Sequence, residues 1–258
     1  MIPTARKAVL FALICLFALT AGLRADDSIT PGTILPITLS STLSSAKGRP
    51  GQVITARIAQ DVPLPGGTKI HAGAKVYGQI VSVTPESSTS PASISFRFDT
   101  VETPHGKIGI TTNLRALASF VEVEQAQLPL TGPDRGTPDT AWTTVQIGGD
   151  SVYRGGGPVE GPGGKVGVPV YNGVLSQLSP NAERGCRGAI NANVTPQALW
   201  VFSSDACGVY GLPNLTIRLT GRTLPVGEIS LESTKGQVNV QAGAGILLRV
   251  NAPDSSGA

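Results

Sequence analysis

Short runs in which apolar and polar residues alternate, broken again and again by Gly and Pro, fill most of this chain, and that rhythm restricts it to half-buried strands joined by tight turns. With 32 Gly, 20 Pro and only 5% aromatic residues among 258, the composition points away from a helical bundle. The expected fold is all-β, barrel-like or sandwich-like, interrupted by one long Gly/Pro-rich excursion.

The strands can be placed from the alternation. Ile34–Leu39 and Gln52–Ile58 read as the first two, joined by a polar link. Asp61–Ile70 reads as a short strand entering a tight turn, where Pro63 and Pro65 fix φ and Gly66-Gly67 supply positive φ. Ala74–Val83 and Ala92–Val101 flank a polar tip containing Pro85 and Pro91 and are expected to pair as a hairpin. A second hairpin turns at Pro104-His105-Gly106 into Ile108–Leu114. Phe120–Gln127 fits either a helical turn or a continued strand, because Glu122 and Glu124 alternate with Val121 and Val123. Residues 129–179 cluster Gly and Pro with little apolar surface to offset the entropy of ordering, and read as a partly disordered loop or a linker. Strands resume at Ala198–Phe202, Leu215–Leu219, Glu228–Leu231, Gln237–Val240 and Ile246–Val250, the last three as a compact meander. The organisation expected is a leader over 1–25, a barrel-like unit over 26–128, the excursion over 129–179, a C-terminal β unit over 180–252 and a frayed tail over 253–258.

The N-terminus reads as a secretory signal: Arg6-Lys7, an apolar run from Ala8 to Ala21, then Gly22-Leu23-Arg24-Ala25 ahead of Asp26. The apolar run, at about 14 residues, is shorter than a bilayer-spanning helix requires, so no permanent transmembrane anchor is expected after cleavage. Cleavage is placed after Ala25, with Ala21 or Gly22 as the alternative end. Ile14 before Cys15 argues against lipidation, which needs a small residue there. Of the 20 Lys and Arg, Arg6, Lys7 and Arg24 leave with the leader, so 17 basic residues face 17 acidic ones. The formal +3 belongs to the leader, and no electrostatic case remains for nucleic acid or an anionic membrane. Cys186 and Cys207 are then an even pair in an exported chain, read as a disulfide closing a loop of about 20 residues.

No chemistry-bearing constellation stands out. Lys165 in the glycine-rich run is followed by Val166, and Val159 stands where a phosphate loop needs its first Gly. There is no Gly-x-Ser-x-Gly, and His71 and His105 both sit at turns. Ser44-Ser45-Ala46-Lys47 matches Ser-x-x-Lys without the companion elements of penicillin-recognising enzymes. The acidic residues are scattered, with no close pair for glycoside hydrolysis, and no His, Cys or carboxylate cluster suggests a metal. No catalytic, cofactor-binding or metal-ligating residue is therefore expected. Asn193-Val194-Thr195 and Asn214-Leu215-Thr216 fit a glycosylation sequon, relevant only to a eukaryotic secretory route. Trp200 and Phe202, one strand period apart beside the expected disulfide, fit either a ligand surface or, in the favoured reading, core.

One stretch resembles a known family. Pro31-Gly32-Thr33-Ile34-Leu35-Pro36-Ile37-Thr38-Leu39, Pro50-Gly51-Gln52-Val53-Ile54-Thr55-Ala56, Asp61-Val62 and Ile70-His71-Ala72-Gly73-Ala74-Lys75-Val76-Tyr77-Gly78 come in an order similar to the C-terminal β-barrel of TrbI-like envelope proteins of type IV secretion and conjugation machines. Phe96-Arg97-Phe98-Asp99 and Thr103-Pro104-His105-Gly106 extend the likeness, which covers about residues 31–120. It implies a barrel-like architecture in the envelope of a diderm bacterium. The functional expectation is an exported, periplasmic or extracellular, non-enzymatic structural or protein-interaction module that binds an envelope partner or itself. An extracytoplasmic ligand-binding domain, for example for glycan, is the alternative, and a hydrolase comes third.

Overall fold

Ile34–Leu39 carries an apolar residue at all but one position, which a strand can use only where both its faces are covered. In the computed structural model, which describes residues 28–130, 136, 143–179 and 195–252, this strand has such a place. The elements of the N-terminal half are β1 (Ile34–Leu39), β2 (Leu43–Ser44), β3 (Val53–Ile58), β4 (Val62–Pro63), β5 (Lys69–Ile70), β6 (Lys75–Thr84), β7 (Ala92–Thr103), β8 (Gly106–Gly109), β9 (Thr112–Ala118) and helix α1 (Phe120–Gln127). There follow β10 (Thr143–Val145), β11 (Ser151–Tyr153), β12 (Val159–Gly161), β13 (Gly164–Val170), β14 (Gly173–Ser176) and β15 (Gln197–Ala198). The chain ends with β16 (Gly208–Tyr210), β17 (Leu215–Leu219), β18 (Ile229–Ser233), β19 (Asn239–Val240) and β20 (Gly245–Val250).

The fold is all-β and barrel-like, as expected. Nine strands run in the order β16-β9-β20-β1-β3-β6-β7-β18-β17, with β8 added beside β7. The two ends of this sheet approach each other, and the Leu114 N–H on β9 donates to the Thr220 carbonyl just past β17 at 2.7 Å, so the sheet is nearly closed. Strand alternation sends Leu35, Ile37, Ile54, Ile80, Ile94, Phe96, Phe98, Ile246 and Leu248 into one interior cluster. Phe96 and Phe98 meet there edge to face, 5.9 Å between ring centroids at 82°.

Three corrections concern the C-terminal half and the excursion. The described part of residues 129–179 is built around a sheet rather than a loop: β10 to β14, with β15, form a six-stranded antiparallel sheet. Its glycine-rich strands are ordered because they cover the barrel wall. Ile34, Ala116, Ala118 and Leu247 point outward from β1, β9 and β20 and share a second apolar cluster with Val152, Val159 and Val174 of the new sheet. Second, residues 180–252 are not a separate β unit, since β17, β18 and β20 complete the barrel begun by β1. The 31–120 segment by itself is therefore an open arc. Third, β18, β19 and β20 do not form a meander: β18 pairs with β7 and β17, β19 with β2, and β20 with β1 and β9.

Smaller differences have local causes. Ile108–Leu114 is split between β8 and β9, which pair with β7 and β20 respectively. Phe120–Gln127 is a helix, because the Ser119 side chain accepts the Glu122 N–H at 3.2 Å and caps it. The hairpin of β6 and β7 stands as expected. Among the described residues no helix is long and apolar enough to cross a membrane. The leader, Cys186, Asn193 and the 253–258 tail lie outside the described residues.

Candidate functional site

Ala198–Phe202 reads as a strand, yet only Gln197–Ala198 is one. Beyond it the backbone turns, with Trp200 at φ +54°. A bulky residue in the left-handed region costs of order 1–3 kcal/mol and persists only when its surroundings hold it. Here Gln60 does so. This side chain, 0% exposed just after β3, accepts the Trp200 N–H at 2.7 Å and the Val174 N–H at 3.2 Å, while its Nε2 donates to the Val174 carbonyl at 2.8 Å. With its amide nitrogen turned toward them, Gln146 donates to the Trp200 carbonyl at 2.8 Å and the Val201 carbonyl at 3.2 Å. Gly173 makes the approach possible, since a Cβ there would lie 2.8 Å from the Trp200 Cα and closer still to the Gln60 amide.

Beside this clamped turn, between the barrel and the second sheet, opens a cleft of 710 Å³. Such a volume is in the range of small-molecule sites. Its walls are Thr38 of β1, Gln127 at the end of α1, Thr144 of β10, Arg154 directly after β11, Asn172 in the β13–β14 turn, and Trp200. Arg154 is half-buried, and its Nη1 donates to the Gly173 carbonyl at 3.3 Å. Burial alone depresses its pKa below the ordinary guanidinium range, and no carboxylate pairs with it among the described residues. The Thr144 hydroxyl, closed off from solvent in a residue 1% exposed, has no hydrogen-bond partner among the described residues. The lining therefore carries a guanidinium with no acidic partner among the described residues.

A buried polar rivet lies elsewhere along the same junction. The ladder between β9 and β20 slips by one residue at Arg115, a bulge that re-aims the side chain. Arg115 Nη2 donates to the Ser204 carbonyl at 2.9 Å. Burial lowers its pKa to about 10, with Arg249 acting in the same direction. The Ser204 N–H in turn donates to Asp150 Oδ2 at 2.6 Å, and the Ser203 hydroxyl donates to Asp205 Oδ1 at 2.7 Å. Asp150 is 1% exposed, and burial raises its carboxyl above 3.8. This arrangement fastens the second sheet to the barrel and offers no opening to a ligand. A second depression, 620 Å³ at one end of the barrel, is lined by Lys47, Gln52, Gln237 and Asn239 among others. Its Gln237 is already engaged with the Ser45 hydroxyl at 2.7 Å.

The residues singled out from sequence are scattered. Trp200 reaches the cleft but is 6% exposed, and Phe202, at 0%, packs wholly within the seam between the sheets. They are not successive residues on one face of a strand. Cys207 is buried, its N–H donating to the Tyr210 hydroxyl at 3.0 Å, and its expected partner Cys186 lies outside the described residues. His71 is exposed, 3.8 Å from Asp61, whose carboxyl is held below its ordinary value chiefly by the Lys69 ammonium 2.6 Å away. His105 is exposed at its hairpin tip. Among the described residues no group of three or more His, Cys, Asp or Glu could hold a metal ion. Sequence reasoning missed Gln60, Thr144 and Arg154. The only trace was Arg154 standing directly before Gly155-Gly156-Gly157.

No protein-family model matches this chain, and no curated protein matches it in sequence.

Proposed function

We propose that the chain is an exported, non-enzymatic binding module of the bacterial cell envelope, which holds a ligand in the cleft between its barrel and its second sheet. The observation that carries this reading is the Trp200 turn, kept at φ +54° by Gln60 beside a half-buried arginine. Strain of this kind clusters at binding and catalytic sites. What supports the non-enzymatic part is the cleft wall, where the described lining residues include no His, Cys or carboxylate to act as nucleophile or base. Export rests on the leader sequence, and the Cys186–Cys207 disulfide on the even cysteine count it leaves. Two reactive thiols in the native protein would remove that pairing.

Titration of the full chain with fractionated envelope extract, followed by tryptophan fluorescence, tests the reading. A saturable change lost in Trp200→Phe supports it; silence across all fractions removes it.

The exposed apolar residues Val121, Leu128, Leu130 and Val145, on and around α1 and β10, favour a second reading, a protein-interaction module with an envelope partner or a second copy. Crosslinking in envelope extracts would yield a defined adduct. The likeness of residues 31–120 to TrbI-like barrels supports placing such a partner in a secretion or conjugation machine, and neighbouring conjugation genes would be expected.

A further inference from the structure

We infer that the cleft selects a small organic carboxylate, held by Arg154. This deepens the binding-module reading and rests on it. A guanidinium drawn half out of water loses hydration and stays protonated, so it is stable there only if something restores the lost interactions. Among the described residues Arg154 has only the Gly173 carbonyl, at 3.3 Å, and no acidic partner. Its fork of donors matches a planar, two-oxygen anion.

The rest of the wall narrows the class. No second cation is among the described lining residues, whereas phosphate sites gather several donors and charges, so one negative charge is the match. Asn172 and Gln127 add amides that can donate or accept. Trp200 and Val201 give the cleft an apolar side on which the body of the ligand can rest. The composition is that of a site for a monocarboxylate with a flat or short apolar body, whether a free metabolite or a carboxylate-bearing building block of the envelope.

The test uses the full chain, with benzoate as probe, benzamide as its uncharged counterpart and inorganic phosphate as the competing anion. Binding is measured by calorimetry, and its place by the NMR shifts of the Trp200 indole and Arg154 Nε–H groups. Benzoate is expected to shift both signals and to bind about tenfold or more tightly than benzamide, the worth of one charge-assisted contact. Phosphate is expected to bind more weakly than benzoate. Arg154→Gln should erase the preference for benzoate, and Arg154→Lys should keep part of it.

Benzamide binding as tightly as benzoate, with the Trp200 indole still shifting, would overturn the carboxylate assignment and leave the cleft as a binding site. The same holds for unchanged benzoate affinity in Arg154→Gln, or for phosphate binding more tightly than benzoate. Silence from benzoate and benzamide alike would overturn the inference, and the fluorescence titration would then stand alone as the test of the cleft. The benzoate–benzamide comparison needs no variant, so it decides even if Arg154→Gln does not fold.

Discussion

The barrel and the second sheet reach order by different means. Barrel strands are as long as the 12 residues of β7, and their alternation fills an interior with Phe, Ile, Leu and Val. The second sheet is made largely of strands of two to four residues, whose buried apolar side chains are small: Val152, Val159, Val174 and Ala198. It is ordered because the outer faces of β1, β9 and β20 give it something to cover, and because buried polar side chains tie it down at fixed points: Gln60 at one place, Arg115 and Asp150 at another. Hydrophobic burial is forgiving about position, while buried hydrogen bonds specify it. The sheet that needs specifying is the one that borders the cleft.

The widest test of that contrast compares two aromatic deletions. Phe96→Ala empties the barrel interior and is expected to cost about 3–5 kcal/mol of global stability in urea denaturation. Phe202→Ala, equally buried but in the seam, should cost a similar amount in the second sheet while sparing the barrel. Amide exchange would show it, with protection falling at Val152 and Val174 and remaining at Ile54 and Ile80. Equal loss of protection in both regions would mean that the two form one cooperative unit.

Next in size is Gln60→Ala. It leaves the Trp200 N–H and both Val174 backbone groups buried without their partner, at about 1–3 kcal/mol for a buried group left unsatisfied. The expected signature is faster exchange at the Trp200 and Val174 amides, with barrel amides unchanged. A variant as stable as the parent would show that the turn is held by packing alone.

A third effect appears as a slope with pH. Burial raises the Asp150 carboxyl above 3.8, Asp205 nearby adds to the rise, and the Ser204 N–H opposes it. The folded protein therefore binds this proton more tightly than the unfolded chain does. Stability is fullest below the unfolded value, falls as pH climbs through the raised folded value, and then levels. Asp150→Asn should remove that fall, so that its stability relative to the parent improves as pH is taken from 3 to 7 in urea titrations. A difference independent of pH would remove Asp150 from the seam's energetics.

What could be read in the sequence divides along the same line. β1, β6, β7, β17 and β20 were visible because an apolar run or an alternation over five or more residues is a local signal. Their partners were not: β18 beside β7, β19 beside β2 and β20 between β1 and β9 are decided by which faces meet, over long sequence separations. Ser151–Tyr153 and Val159–Gly161 are too short to show any period, and the surface that orders them belongs to other strands. The cleft draws on β1, α1, β10, the residue after β11 and the turn at Trp200. Trp200 itself drew notice as an aromatic on a strand, because nothing in Leu199-Trp200-Val201 announces a positive φ.

The smallest expected effect bears on the barrel's charges. Arg218 on β17 and Glu232 on β18 are paired at 2.6 Å, Arg218 being 59% exposed and Glu232 20%. With one partner in open solvent, screening and the entropy of holding a long side chain offset most of the attraction, and such pairs contribute about 1 kcal/mol or less. Glu232→Gln should therefore shift the urea midpoint little, and the small shift should shrink further in 1 M salt. If the barrel is held by its interior alone, its surface charges are dispensable in a way that Gln60 and Arg115 are not. A loss well above 1 kcal/mol, insensitive to salt, would mean that β17 and β18, next to the edge where the sheet nearly closes, also depend on a fixed polar contact, and the contrast between barrel and second sheet would fail at its most exposed point.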